Sequence, residues 1–355
     1  LGNGSTNAAY QKLTQTVEEG TVVTFAKVPA RTGYVNQGWS SKKNSEKATA
    51  KAKCTVNKNI TLYAVQKKAV QLTFHRCDGS TWQKTTLAKG SSYSLPGVRD
   101  AEGYTFMGWS TKPMQSVSPQ YEAEEKITVN GNVDLYAVVF NRTTETDLTE
   151  DQLPQVDIYK YKQVIFVGDS RTEFMENVLT GMGESATKNV KFVCSAGKGL
   201  DWFTTTGWAQ LYSIVQHDSN SILSKKTAVI FNFGVNDLSK SADYAEYYNW
   251  IAPQLKSKGC ELYFMSVNPV NRLMLPNAGR ADRSEAAVRS FNQYMKANLS
   301  SAYTYIDMYS YLKSTGYSFA SDHYGTGTVD DGLHYTTRTY KRIFAKCMDS
   351  LRVPA

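Results

Sequence analysis

Three residues that together can catalyse acyl transfer occur at separate places in this chain of 355 residues. Ser170 follows Gly168-Asp169 and the apolar run 164–167, and Asp331 and His334 stand three residues apart near the end of the chain. A serine hydroxyl becomes nucleophilic when an imidazole takes its proton, and a carboxylate fixes the imidazole's tautomer and stabilises its charged form. We therefore predict Ser170 as the nucleophile, His334 as the base and Asp331 as the residue that orients it.

Acyl transfer also requires N–H donors that stabilise the negative oxygen of the tetrahedral intermediate. The backbone N–H of Ser170 and the side-chain amide of Asn236 are candidates. A third donor is expected from the segment Ser-Ala-Gly-Lys-Gly, where either Gly197 or Gly199 could supply it. The sequence thus predicts an oxyanion hole with three donors.

Two more side chains are candidates for substrate contact. Arg171 directly follows the nucleophile and either holds an anionic group of the substrate or covers the start of a helix. Trp202 follows the two glycines and either forms a wall of the site or packs in the core.

The elements that must position these residues are apolar runs that alternate with helical patterns. The predicted strands are 163–167, 190–194, 228–233, 261–267 and 304–306, and the predicted helices lie near 171–182, 242–256, 285–299 and 337–351. Five strands with intervening helices predict a parallel sheet that is covered on both faces. The carboxyl ends of such strands meet at one edge, which would bring the candidate residues together.

Three motifs now point to a known family. GDS at 168–170, GVND at 234–237 and DGLH at 331–334 occur in this order, and the region 160–355 resembles the SGNH (GDSL-type) hydrolase superfamily. The resemblance implies a three-layer α/β sandwich and a serine esterase that needs neither a cofactor nor a metal. The chain departs from the family in the block that follows the second strand, which usually reads Asn-x-x-x-x-Gly and here reads Ser-Ala-Gly-Lys-Gly at 195–199.

The first 140 residues contain an internal repeat. Residues 19–40 align with 89–110 through a shared GY-x-x-x-GWS ending, and TVNKNITLYAV at 55–65 aligns with TVNGNVDLYAV at 128–138. Alternating apolar residues between Gly, Pro and Asn predict mostly strands. The motifs resemble internalin-type B (Listeria-Bacteroides) repeats of secreted and wall-attached Gram-positive proteins, which implies an extracellular or cell-wall location and a spacer or adhesion role.

The predicted organisation has four parts. Residues 1–68 form a first repeat whose opening strand is expected to be missing, and 69–140 form a second repeat. The polar stretch 141–159, which contains Pro154 and lacks periodicity, is predicted to be a linker. Residues 160–355 form the hydrolase domain.

The charge is distributed unevenly along the chain. Residues 1–142 contain 18 Lys and Arg against 10 Asp and Glu, whereas the remainder contains 22 of each. This distribution suggests that the repeats could contact an anionic cell wall. We expect neither a membrane span nor a nucleic-acid partner, and the absence of C-x-x-C spacing among five cysteines argues against a zinc site.

The function expected from these observations is a secreted serine esterase that hydrolyses carboxylic esters, and the expected substrates are O-acetyl groups on a carbohydrate or wall glycan. Two alternatives stay open. The same three residues could transfer an acyl group to a sugar hydroxyl, or the chain could be a wall adhesin whose hydrolase-like domain only binds.

Overall fold

The computed structural model describes residues 14–217, 225–275, 283–321 and 330–351. Contacts within the chain define two units. Unit 1 is Leu1–Ser94 with Lys126–Tyr136, and unit 2 is Leu95–Glu125 with Ala137–Ala355. The position at which the opening strand of the first repeat was predicted to be missing lies outside the described residues.

Unit 1 consists of β-strands. Its strands are β1 (Thr21–Thr24), β2 (Tyr34–Ser40), β3 (Lys53–Val56), β4 (Tyr63–His75), β5 (Thr81–Ala88), β6 (Ser91–Ser94) and, after β7 (Tyr104–Ser110) of unit 2, β8 (Lys126–Val129). Strand β4 pairs antiparallel with β2 along its first half and with β5 along its second half. It continues without a break across the predicted boundary between the two repeats. The prediction that this part of the chain is β-rich is confirmed.

Unit 2 contains a five-stranded parallel sheet. After β9 (Val133–Asn141), which begins in unit 1, its strands are β10 (Tyr161–Gly168), β11 (Val190–Cys194), β12 (Lys226–Asn232), β13 (Cys260–Met265) and β14 (Tyr303–Ile306). The spatial order is β11-β10-β12-β13-β14, with every pair parallel. The strand order reverses direction at β10, and open α/β sheets bind ligands at the carboxyl ends of strands at such a point. The predicted parallel sheet is confirmed.

Helices cover both faces of this sheet. They are α1 (Ser170–Met182), α2 (Glu184–Thr187), α3 (Leu200–Trp202), α4 (Trp208–His217), α5 (Ser241–Ser257), α6 (Glu285–Asn298), α7 (Met308–Thr315) and α8 (Thr337–Ser350). Side chains alternate along β10, so that Ile165 and Val167 join one buried cluster with α5 and α6, whereas Val164 and Phe166 join another with α1 and α8. The structure is therefore the three-layer sandwich that the sequence predicts.

Several elements differ from the prediction. Helices α2, α3, α4 and α7 were not predicted from the sequence. The DGLH motif lies in β16 (Asp330–Tyr335), a strand that was not predicted from the sequence and that pairs antiparallel with the short strand β15 (Phe319–Ser321). Asp331 and His334 thus lie on the same strand, with the left-handed Gly332 between them.

The segment 141–159, predicted to be a linker, packs against the rest of unit 2. Leu153 and Val156 are buried in the cluster that contains α8. The buried Glu145 carboxylate accepts hydrogen bonds from Arg342 Nη1 at 3.0 Å and Ser318 Oγ at 2.5 Å. The α-helices that the structure describes include none of the length and hydrophobicity needed to cross a membrane.

Candidate active site

The nucleophile candidate lies at the turn between β10 and α1. A Cβ atom at Gly168 would lie 2.0 Å from Thr172 Oγ1 and 2.9 Å from Asn232 O, so only glycine fits there. Asp169 then caps the helix, because its side chain accepts the Arg171 N–H at 3.0 Å. Ser170 is the first residue of α1 and is 6% exposed. The turn thus fixes the hydroxyl at the carboxyl edge of the sheet.

His334 joins this serine to a carboxylate. Its Nε2 lies 2.9 Å from Ser170 Oγ, and its Nδ1 lies 2.5 Å from Asp331 Oδ2. The contact with a carboxylate places a proton on Nδ1, which leaves the Nε2 lone pair to accept the serine proton. The ring also packs edge-on against Phe174, with 4.7 Å between the centroids. The structure therefore brings together the three residues predicted from the sequence.

Asp331 is held as a carboxylate by its own strand. Its Oδ1 accepts the backbone N–H groups of Leu333 at 2.8 Å and His334 at 2.7 Å. Burial acts to raise the pKa of Asp331, but the hydrogen bond and charge of His334, together with these N–H groups, hold the pKa below its ordinary value. Gly332 permits this geometry, since its φ is +66° and a Cβ would lie 2.3 Å from Asn271 O. Asp331 is thus ionised and oriented toward the imidazole.

Another buried carboxyl, that of Asp169, lies at the turn that carries Ser170. Burial raises the pKa of Asp169 to about 7; the charge and N–H of Arg171 oppose the rise, and the charge of Asp237 adds to it. Burial also raises the pKa of Asp237, which accepts the Tyr244 hydroxyl at 2.7 Å and the Leu200 N–H at 3.0 Å. Both carboxyls bond to neighbouring groups of the fold, which indicates a structural role.

The Asn236 amide is held at both ends. Its Nδ2 donates to Lys198 O at 2.8 Å, and its Oδ1 accepts a hydrogen bond from the buried Arg283 guanidinium. A primary amide has two N–H donors. One is used by Lys198, and the other remains to serve as the predicted oxyanion donor. The contact with Lys198 O also connects the GVND motif with the segment 195–199.

The two candidate glycines have different surroundings. Gly197 has a φ of +70° and open space where a Cβ would point. Gly199 has ordinary backbone angles, but a Cβ there would lie 2.4 Å from Asp237 Oδ2. Gly199 is therefore required for packing, and Gly197 for its backbone conformation. Both N–H groups remain candidates for the oxyanion hole.

The Arg171 side chain is buried within the domain. It is 2% exposed, and its guanidinium donates to three backbone carbonyls, Leu333 O at 3.0 Å, Asn268 O at 2.9 Å and Pro269 O at 2.9 Å. Of the two predicted roles, this arrangement favours a structural one that goes beyond covering the helix start. The side chain ties α1 to the loop after β13 and to the strand that carries His334.

Trp202 packs against the core. Its ring lies 6.1 Å from that of Phe233, and a Cβ at Gly207 would lie 2.7 Å from its Cζ3. The side chain is half-buried. These contacts favour the packing role over the predicted wall of the substrate site.

Arg283 is the site residue that the sequence analysis missed. It is 7% exposed, and among the residues that the structure describes its Nε has no hydrogen-bond partner. No motif marks it, because it lies 47 residues from Asn236 in the sequence. Only the fold shows that the Arg283 and Asn236 side chains are in contact, so the sequence alone could not assign Arg283 to the site.

The fold and site define a class of protein: a doubly wound α/β domain with a serine, histidine and aspartate at the carboxyl edge of its sheet. Within this class, the chain belongs to the GDSL-like lipase/acylhydrolase family, whose profile matches residues 164–347. The Listeria-Bacteroides repeat domain matches residues 2–65 and 71–138. Both predicted resemblances are confirmed, and the family indicates an esterase or acyl-transfer enzyme.

Several solved structures are similar to this chain. One is the acetyl xylan esterase AlAXEase, with 11% identity, 54% of this chain and 100% of that chain covered, and a TM-score of 0.36. Another is the C-terminal catalytic domain of peptidoglycan O-acetyltransferase A from Streptococcus pneumoniae with a methylsulfonyl adduct, with 15% identity, 54% of this chain and 92% of that chain covered, and a TM-score of 0.33. A third is a member of the lipolytic protein G-D-S-L family from Veillonella parvula, with 18% identity, 54% of this chain and 99% of that chain covered, and a TM-score of 0.32. No curated protein sequence matches the chain.

Proposed function

We propose that this protein is an extracellular serine esterase that removes acyl groups, O-acetyl groups above all, from carbohydrate hydroxyls. The observation that carries the proposal is the continuous hydrogen-bonded path from Ser170 Oγ through the His334 ring to Asp331, with distances of 2.9 and 2.5 Å. All three residues are at most 8% exposed. Along such a path His334 can take the Ser170 proton during acyl transfer, while Asp331 stabilises the charged imidazole.

The first half of the reaction forms an acyl-enzyme. Ser170 Oγ attacks the ester carbonyl carbon while His334 Nε2 takes the hydroxyl proton. The carbonyl oxygen becomes negative and accepts hydrogen bonds from the Ser170 N–H, from Gly197 or Gly199, and from Asn236 Nδ2. When the intermediate collapses, the C–O bond to the alcohol breaks and His334 returns the proton to that alcohol. The products are acyl-Ser170 and the free sugar hydroxyl.

The second half uses water. His334 Nε2 takes a proton from a water molecule, whose oxygen attacks the acyl-Ser170 carbonyl. Collapse of the second intermediate breaks the bond to Ser170 Oγ, which regains its proton from His334. The carboxylic acid leaves, and Asp331 remains ionised throughout.

A panel of acyl esters with increasing chain length tests the proposal. Wild-type protein should hydrolyse the acetyl ester, and a phosphonate inhibitor should label Ser170 alone. Ser170→Ala should lose both activity and labelling while it retains the wild-type circular dichroism spectrum. Full activity of Ser170→Ala would show that another residue is the nucleophile.

Addition of a sugar acceptor to the same assay separates hydrolysis from transfer. For an esterase, acetate should appear at the same rate with or without the acceptor. If acetylated acceptor replaces most of the acetate, the enzyme is an acyltransferase.

The proposed location is the cell wall. Its support is the charge of the repeat region, where residues 1–142 carry 18 basic and 10 acidic side chains, whereas the rest of the chain is neutral. Long-range attraction by such a region to an anionic polymer is screened by salt. The repeats would thus keep the esterase near acylated wall glycans.

Sedimentation of the full chain with purified Gram-positive walls tests this location. Binding should be lost at about 0.3 M salt, where the screening length falls to roughly 5 to 6 Å. Replacement of the exposed Lys42, Lys43 and Lys47 by Glu should also abolish binding. The matched control replaces the exposed Lys188, Lys191 and Lys256, and it should bind like wild type. Equal loss in both triple variants would contradict a specific role of the repeats.

A further inference from the structure

We infer that the part of the second repeat that belongs to unit 2, residues 95–125, positions the catalytic residues through the loop that follows β13. This loop, residues 268–275, is called the brace loop below. Asn271 is the central residue of the contact. The inference rests on the proposed function, because it assigns positioning residues to that same reaction.

The brace loop holds both halves of the candidate catalytic site. On one side, its Asn268 and Pro269 carbonyls accept hydrogen bonds from the guanidinium of Arg171, the residue after the nucleophile. On the other side, Asn271 N donates to Gly332 O at 2.8 Å, between Asp331 and His334. A displacement of this loop would therefore change the distance between Ser170 Oγ and His334 Nε2.

The second repeat in turn holds the brace loop. Asn271 Nδ2 donates to Val98 O at 3.0 Å and to Asp100 Oδ1 at 2.8 Å. The guanidinium of Arg99 donates to Leu273 O. These contacts join residues that are more than 170 positions apart in the sequence. Asn271 is thus fixed on one side to the repeat and on the other to the strand that carries His334.

A second set of contacts anchors the end of the brace loop. Arg272 Nε donates to Glu124 Oε1 at 3.0 Å, and the other oxygen of Glu124 accepts the Ala286 N–H at 3.3 Å. Arg289 Nη1 donates to Ala123 O at 2.9 Å. The same turn of the repeat therefore binds both the brace loop and the first turns of α6.

A misplacement of about 1 Å in a catalytic group can reduce a rate by about 10². If the repeat positions the brace loop, its contacts should act on kcat and on acylation of Ser170. They should have little effect on the KM of a small ester, because none of these residues lies in the catalytic path itself. A contact that only stabilises the fold would change the melting temperature without changing kcat.

The test variant is Asn271→Asp. The aspartate keeps an acceptor for the Leu273 N–H, which Asn271 Oδ1 binds at 3.2 Å, but it loses the donor to Val98 and places a carboxylate beside Asp100. We expect kcat and the rate of Ser170 labelling by a phosphonate to fall about tenfold or more, with KM unchanged. The double variant Asn271→Asp with Asp100→Asn removes the repulsion between the two carboxylates. It should restore only part of kcat, because Val98 O still lacks its donor and Asp100 also accepts the Phe106 N–H at 3.0 Å and Arg142 Nη2 at 2.7 Å.

The matched control is Tyr161→Phe at the opposite end of β10. It removes the hydroxyl that lies 2.9 Å from Tyr263 OH, far along the strand from Ser170. This control should lower the melting temperature and leave kcat unchanged. Wild-type kcat in Asn271→Asp, with a lower melting temperature, would overturn the inference.

A milder variant covers the case in which Asn271→Asp does not fold. Arg99→Met removes one hydrogen bond from an exposed side chain to the brace loop and should lower kcat to a smaller extent. If its kcat equals that of wild type, the inference fails. If wild-type protein itself neither hydrolyses an ester nor reacts with the phosphonate, the proposed function fails instead.

Discussion

Replacement of Lys313 by Met should destabilise unit 2 strongly. The Lys313 ammonium is buried and lies 2.9 Å from Glu122 Oε2, 2.8 Å from Glu285 Oε1 and 2.9 Å from Met107 O. Loss of one partner from a buried ion pair costs about 3–5 kcal/mol, because the other charge remains buried without compensation. Here two carboxylates would remain, so we expect a loss in this range at pH 7.

The loss of stability in Lys313→Met should depend on pH. The variant can relieve the repulsion if a carboxylate takes up a proton, which costs about 4 kcal/mol at pH 7 and about 1 kcal/mol at pH 5 for an ordinary glutamate pKa. Without Lys313, the pKa values of Glu122 and Glu285 in the folded state rise. Groups whose pKa is raised by folding contribute stability at low pH and lose it as pH rises, so the destabilisation should be smaller at pH 5. Arg289 and the hydroxyl of Tyr309 stay beside the pair and keep part of its charge compensated.

Hydrogen exchange of the β10 peptide, Tyr161–Gly168, measures the opening free energy of the unit at each pH. The control Lys256→Met removes an exposed lysine and should change this free energy by less than about 0.5 kcal/mol. Lys313→Met with Glu122→Gln leaves only one carboxylate and should recover part of the loss. A change below about 1 kcal/mol at pH 7, or one equal at both pH values, would refute this reasoning.

Three other variants test the site. Asn236→Ala should lower kcat by about 10² to 10³ with little change in KM, because an oxyanion donor acts in the transition state; a pure KM effect in steady-state kinetics would make it a substrate contact. Asp331→Asn should lower kcat by up to about 10⁴, because the imidazole would adopt the wrong tautomer, and His334→Ala should lower kcat further. If Asp331→Asn has the kcat of the wild type, Asp331 does not orient the imidazole. Asp169→Asn keeps the helix cap, and its stability relative to wild type should rise by at most about 1.4 kcal/mol per pH unit between about pH 4 and pH 7, because the raised pKa of Asp169 makes the stability of the wild type fall over this range. If urea unfolding gives the same stability difference between variant and wild type at pH 4 and pH 7, the prediction is wrong.

Much of the hydrolase fold was predictable from periodicity. The strand at 190–194 and the helix starting at 285 match the structure because apolar residues recur there at the spacing of their element. The contact of Ser170 with His334 was predicted from the position of Ser170 at a strand end and from the chemistry that a serine, a histidine and an aspartate perform together. The hairpin that carries Asp331 was not predictable, since β15 is only three residues long.

The role of residues 95–125 could not be predicted for a different reason. Residues 95–110 align with residues 25–40 and share their GY-x-x-x-GWS ending, which indicates two equivalent modules. Their contacts with Asn271 and Lys313 depend on hydrogen bonds across more than 170 residues, which leave no periodic signal. The same is true of Glu145, which lies in a polar segment with no regular pattern and is nevertheless buried with Arg342.

Strand β4 has a consequence for how the repeats unfold. It runs through 13 residues, pairs with β2 of the first repeat up to Lys68 and begins its pairing with β5 of the second at Ala69. A repeat joined by a flexible tether can melt while its neighbour stays folded, but a shared strand transmits the loss of one partner to the other. Strands β2, β4 and β5 should consequently behave as a single cooperative block, with amides of Ala64 and Leu72 opening together under denaturant rather than in two separate steps.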